Sequence, residues 1–242
     1  MINKKIPHFN NDTISKNGAI VCIGFFDLVH KSHEKIFTET INLAKKNNKK
    51  SICFTFDLKP IDYIKKEYNN CWDGEFKVAF IKKEFDFDEV VLFKCSPDFI
   101  KTTAVQFIDI LKKRYNVEGV VCGSDFKFGY ENQGKVSDLV ENFKYVLIVD
   151  RINELSTTSI KKLLFEGKID TVNKSLEKNI AFPLLLENNK LKIKTNFLLR
   201  NGFYLVSFND DDDEKIEINL VDNYIITEKI SNKNIIYLHK KY

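Results

Sequence analysis

The chain has 242 residues, 43% of them hydrophobic and 30% charged, with a formal net charge of +4 at neutral pH. That is enough apolar material for one large domain, or for a domain of usual size with an appendage. It excludes a helical membrane span, because no run approaches eighteen apolar residues. So mild and dispersed an excess of lysine also argues against a nucleic-acid partner.

The first ten residues, MINKKIPHFN, hold neither an apolar stretch nor a small-residue cleavage site, so secretion is not expected. Five cysteines stand singly at 22, 53, 71, 95 and 122, with no CxxC pair. An odd, scattered set suits neither a disulfide framework nor a zinc site, and a reducing, cytoplasmic location is the natural expectation. Nothing in the sequence specifies an oligomer.

In chain order, AIVCIGFF (19–26) reads as a buried strand. Ile36, Phe37, Thr40, Ile41, Leu43 and Ala44 then fall on one stripe of a helix. KSICFTF (50–56) is a second strand, FKVAFIKKE (76–84) a helix, EVVLFK (89–94) a strand and AVQFIDILKKRY (104–115) a helix. EGVVCG (118–123) and KYVLIVD (144–150) complete the strands. Cys22, Cys53 and Cys122 lie inside these apolar runs, where a thiol behaves as a small buried hydrophobe. Continuous apolar strands separated by helices predict an α/β, Rossmann-like parallel sheet with helices on both faces.

Two short helices are predicted at 159–166 and 169–178. Beyond residue 180 the period shifts to two through KLKIKTNFLLRNGFYLVSF, KIEINLV and NIIYLHK, which predicts a small β-rich domain. The acidic run NDDDDEK (209–215) reads as a solvated turn, since a calcium loop needs glycine and spaced ligands. The expected division is therefore 1–180 and 181–242.

The stretch GFFDLVHKSHEKI (24–36) holds two of the chain's four histidines, directly after the first strand. Ligands collect at the carboxyl ends of such strands. Residues three apart at a helix start share a face, and the helix's unpaired amides welcome an anion. His30 and His33 so placed can clamp a phosphate and stabilise charge developing on it. Gly24 would allow close backbone approach to a ligand. Asp125, immediately before Phe126 in CGSDFKFG, is hard to place as core and is expected to contact a ligand; Gly123 and Gly129 would give that loop its tight geometry.

This stretch resembles the GxFDxxHxGH signature of the nucleotidyltransferase superfamily. The wider resemblance is to the adenylyltransferase half of the bacterial FAD synthetases, the bifunctional riboflavin kinase/FMN adenylyltransferases. TFDLKP (55–60) is similar to that family's TFxPHP, VCGSDFKFGYENQG (121–134) to its VGxDFxFGxxxxG, and ELSTTSIKKLLFEGKID (154–170) to its ISSTxIRxxLxxGxxx, all in the family's order. The resemblance implies transfer of AMP from ATP to FMN, giving FAD and pyrophosphate, with Mg²⁺ on the triphosphate and no resident metal site. It implies His30 and His33 as catalytic groups on the phosphates. ATP is then expected to meet Gly24, Phe25, Phe26, Asp27, Gly123, Ser156, Thr157, Thr158 and Lys161 as well. FMN is expected to meet Phe56, Asp57, Pro60, Asp125, Phe126 and Phe128.

Four positions depart from the pattern. Leu28 and Ser32 stand where the family has glycine, Lys59 where it has histidine, and Lys161 where it has arginine. Ser32 would be strained if its backbone needs a positive φ, or well suited if it caps a helix. Residues 181–242 contain no GFPTAN-type string, so riboflavin kinase activity is not expected and the β domain reads as a remnant or substitute of that barrel. The alternatives are another HxGH-type adenylyl- or cytidylyltransferase, or a flavin- or nucleotide-binding regulator with weakened turnover.

Overall fold

A computed structural model describes residues 17–150, 156–188, 190–208, 214–226 and 234–242. Most of the acidic run, residues 209–213, lies outside them, as do Glu154 and Leu155. The described chain forms two compact units, the first of residues 17–26, 32–66 and 77–150, the second of 27–31, 67–76 and those from 156 onward.

Up to residue 150 the elements are β1 (Ala19–Ile23), α1 (Lys31–Lys46), β2 (Lys50–Phe56), α2 (Pro60–Lys65), α3 (Gly74–Glu84), β3 (Glu89–Phe93), α4 (Pro97–Ile100), α5 (Ala104–Tyr115), β4 (Val117–Gly123), α6 (Val136–Asn142) and β5 (Tyr145–Val149). The five strands form one sheet in the order β3-β2-β1-β4-β5, every pair parallel. β1 is buried along its whole length, as a central strand covered on both faces must be. Its residues alternate between the faces. Ala19, Val21 and Ile23 pack in a core with Phe107, Ile108, Leu111 and Tyr115 of α5, while Ile20 packs with Ala44 of α1 and Val121. The expected sheet with helices on both faces is therefore present.

Strand β1 ends at Ile23, three residues before the apolar run does. Helix α5 begins with a capping box in which Thr103 and Gln106 satisfy each other's backbone amides at 3.2 and 2.9 Å. Helices α2, α4 and α6 are not announced by periodicity, because four to seven residues are too few to show a 3.6-residue repeat. Local chemistry makes them: Pro60 and Pro97 sit in first turns, and the Ser96 hydroxyl accepts the Phe99 amide at 3.2 Å.

The second unit carries α7 (Thr157–Glu166), α8 (Ile169–Leu176), β6 (Ile180–Glu187), β7 (Lys190–Ile193), β8 (Gly202–Ser207), β9 (Ile216–Val221), β10 (Tyr224–Ile226) and β11 (Ile235–Lys241). The six strands close into an antiparallel barrel in the order β10-β7-β6-β11-β8-β9. Closure leaves no unpaired edge. Phe182, Tyr204, Val206, Ile218, Leu220, Ile236 and Leu238 fill it, each at most 2% exposed and following the period of two. The barrel starts at Ile180, while α7 and α8 group with it in the second unit. Asn173 of α8 shows how, accepting the Ile180 amide at 2.9 Å and donating to the Leu238 carbonyl at 2.7 Å.

Candidate active site

In a sheet ordered 3-2-1-4-5 the connections reverse direction between β1 and β4, and a crevice opens at their carboxyl ends. Gly24 follows β1 and Gly123 ends β4, so both expected nucleotide contacts border that crevice. The Gly24 amide donates to the Phe54 carbonyl at 3.1 Å. Its reason for being glycine differs from the expected one: its φ is ordinary, and a Cβ there would stand 2.7 Å from the Phe26 ring. Glycine is needed so that this ring can fold back over the chain. Phe26 adopts a positive φ of 48°, and its ring meets Phe37 (4.7 Å, 75°) and His33 (5.1 Å, 83°) edge-on. His33, half-buried in the first turn of α1, is thus steered by an aromatic contact.

The Phe25 carbonyl accepts from the Thr55 hydroxyl at 3.1 Å and from the Lys77 ammonium at 2.9 Å. Lys77 is fully buried, also donates to the Phe56 carbonyl, and lies 3.6 Å from the Phe25 ring centroid. The sequence reading missed it. No sequence signal marks it: Gly74, Lys77 and Ile81 form the buried stripe of α3, and only burial sets this lysine apart.

Residues 27–31 belong to the second unit, so His30 groups there and His33 with the first. His30 is 9% exposed and immediately precedes α1. Asp27 is 1% exposed and its carboxylate is fully engaged. It accepts the Cys71 amide at 3.0 Å and the Trp72 amide at 2.9 Å, and pairs with the Lys161 ammonium at 3.0 Å. Lys161, in α7, also donates to the side chain of Asn69 at 3.0 Å and to its carbonyl. Two expected ATP contacts therefore hold each other, and lysine suits this place because one compact ammonium serves a carboxylate and an amide oxygen together. Burial and then the nearby Asp27 carboxylate push the Cys71 thiol well above the usual range, so it stays protonated beside the site.

Of the two missing glycines, only one position needs an unusual backbone. Ser32 lies inside the first turn of α1, neither capping it nor at positive φ, and carries no strain. Leu28 has a φ of 62° and is 0% exposed. Its left-handed backbone costs about 1–2 kcal/mol, offset by full burial of the side chain. Leu28→Gly relieves that strain but empties a site whose loss costs about 2–5 kcal/mol. The expected result is a net loss of about 1–3 kcal/mol in urea denaturation, and a variant more stable than the parent would show that packing does not hold this loop.

The positions expected to meet FMN lie in the first unit. Phe56 is half-buried and stacked on Phe93 (5.5 Å, 23°). The Asp57 carboxylate accepts the Leu58 and Cys95 amides at 2.8 and 2.7 Å, tying the ends of β2 and β3. Burial, followed by Asp57 and Asp62, pushes the Cys95 thiol up to about 11. Pro60 is exposed at the start of α2, preceded by Lys59, whose ammonium lies 5.2 Å from the Phe25 ring centroid. Phe126 and Phe128 stack at 5.7 Å and 17°, with Phe128 in the core, Phe126 half-buried and Asp125 exposed. Tight loop geometry rests on Gly129 rather than Gly123. Gly129 has a φ of 74° and Ala104 backbone 2.5 Å from where a Cβ would be, whereas Gly123 has an ordinary φ and only Asp125 nearby.

In the second unit Ser156 caps α7, its hydroxyl accepting the Ser159 amide at 3.2 Å, with Thr157 and Thr158 opening the helix. The five cysteines are free and buried. Among the described residues no helix is long and apolar enough to cross a membrane, and no three His, Cys, Asp or Glu side chains gather as a metal cage.

The family model described as FAD synthetase matches residues 12–162, more than half of the chain. The chain belongs to the FAD synthetase family. Among the FAD synthetase relatives, a bifunctional riboflavin kinase/FMN adenylyltransferase of Buchnera aphidicola (subsp. Schizaphis graminum) is 28% identical, over 81% of this chain and 70% of its own length. One of the same description from Listeria monocytogenes is 26% identical, over 65% of this chain and 53% of its own. A solved structure of a protein described as a macrolide-efflux protein from Streptococcus pneumoniae superposes with a TM-score of 0.77 at 19% identity, over 96% of this chain and 87% of that one. At that identity the likeness speaks for the fold.

Proposed function

We propose that this FAD synthetase is an FMN adenylyltransferase. An oxygen of the FMN phosphate attacks the α-phosphorus of ATP, and the bond to the β-phosphate oxygen breaks, giving FAD and pyrophosphate. No covalent enzyme intermediate is needed, so the protein contributes alignment and charge stabilisation. The observation that carries this reading is the family match across the whole sheet, with Gly24 and Gly123 bordering the crevice where such sheets take ligands.

His30 and His33 are assigned to the ATP phosphates, together with Gly24, Phe25, Phe26, Gly123 and the start of α7 at Ser156, Thr157 and Thr158. Asp27 and Lys161 are assigned to holding the loop after β1, given their mutual engagement. Phe56, Asp57, Pro60, Asp125, Phe126 and Phe128 are assigned to the flavin side. Mg²⁺ would enter with the nucleotide, held by phosphate oxygens and water, which asks no acidic cage of the protein. The barrel is assigned no kinase chemistry, since residues 181–242 lack a GFPTAN-type string.

Incubation of the purified chain with FMN, ATP and Mg²⁺ is expected to give FAD and pyrophosphate in equal amounts by chromatography, and riboflavin with ATP to give no FMN. Product from phosphopantetheine or nicotinate mononucleotide instead of FMN would reassign the acceptor. Tight FMN or ATP binding with no pyrophosphate release would make the protein a regulator.

A further inference from the structure

An ammonium removed completely from water costs several kcal/mol unless its surroundings replace the lost hydration. Lys77 is such a group, with 0% exposure in the middle of the buried stripe of α3. Its replacements are specific: the carbonyl of Phe25 just beyond β1, the carbonyl of Phe56 at the end of β2, and the face of the Phe25 ring. A lysine needed only to fill space would be better replaced by methionine.

The consequence follows from peptide geometry. The Phe25 carbonyl oxygen takes two donors, Lys77 and Thr55, and so cannot rotate. In a planar trans peptide the carbonyl and the next amide hydrogen point in opposite directions. Fixing the Phe25 oxygen toward Lys77 and Thr55 therefore fixes the Phe26 amide in the opposite direction, just beyond the carboxyl end of β1. The positive φ of Phe26 shows that this turn is held in an unfavoured conformation.

We propose that Lys77 is a positioning residue for adenylyl transfer: by anchoring the Phe25 carbonyl and the end of β2, it aims the Phe26 amide at the nucleotide phosphates. This rests on the adenylyltransferase reading for its catalytic half, while the anchoring half stands on geometry alone. Lys77 touches no substrate in this role. It sets the direction of a backbone donor that does.

The test is Lys77→Met, with Lys77→Gln, which keeps an N–H donor on a shorter stem, should the first not fold. Hydrogen exchange read by mass spectrometry is expected to speed up about ten-fold or more at residues 25–27 and 57–58, and not in α5, as local opening demands. Uniform acceleration, or none, overturns the anchor. In FAD synthesis kcat is expected to fall about 10²-fold, with KM for ATP and FMN little changed, the signature of misplaced alignment. Leu111→Ala, a core substitution in α5, serves as the stability-matched control and keeps its kcat. A kcat loss shared by Leu111→Ala, or a loss confined to KM, overturns the positioning role. Wild-type protein that makes no FAD overturns the reaction reading and the catalytic half with it, while the exchange pattern still decides the anchor.

Discussion

Replacing His33 by alanine is expected to lower kcat for FAD formation by about 10²–10³-fold, the range for loss of one donor positioned on a transition state. His33 opens a sixteen-residue helix whose first-turn amides add to the positive potential at that end. The edge-on contact with Phe26 sets the ring's orientation, and Gly24 leaves room for Phe26 to make it. The ring is half-buried, so its loss removes one aromatic contact worth about 0.5–1.5 kcal/mol and leaves the fold intact. Stability and catalysis therefore separate: the denaturation midpoint moves little while steady-state turnover collapses. His33→Asn, which keeps a side-chain donor, should recover part of the rate. Turnover within about two-fold of wild type for the alanine variant would remove this ring from the mechanism.

The parallel sheet was readable because β1 is apolar throughout and β2 and β4 are mostly so, with helices between them, as strands covered on both faces require. The β character beyond residue 180 was equally plain from alternation, but closure into a barrel was not, since register and closure depend on pairing between distant strands. Individual histidines and glycines could be picked out, yet what each glycine does needed coordinates. Gly24 makes room for a neighbouring ring, Gly129 holds a left-handed turn, and Gly123 does neither. The cost expected of a missing glycine fell on Leu28 and not on Ser32, because helix α1 begins at Lys31, two residues earlier than a cap at Ser32 would place it. Lys77 escaped notice for the opposite reason. Lysines occur throughout this chain, and only burial distinguishes this one.

The largest effect on stability is expected from Asp27→Ala. The carboxylate accepts two backbone amides and faces one ammonium, so its removal leaves two buried amides without this acceptor and the Lys161 ammonium without its counter-charge. Breaking a buried pair by deleting one partner costs about 3–5 kcal/mol, because the remaining charge stays desolvated. The side chain of Lys161 is 13% exposed, so little solvent is available to compensate. Trp72, the chain's one tryptophan, reports on the site directly: its amide is one of the two that Asp27 accepts, and its indole donates to the Ala181 carbonyl at 2.7 Å. Urea unfolding followed by its fluorescence should show the midpoint falling with the slope unchanged. Adding Lys161→Met to Asp27→Ala should then restore part of the loss, since an apolar side chain needs no counter-charge, whereas Lys161→Met alone leaves a buried carboxylate and should destabilise. A double variant less stable than the sum of the two singles would show that charge pairing is not what joins the loop after β1 to α7.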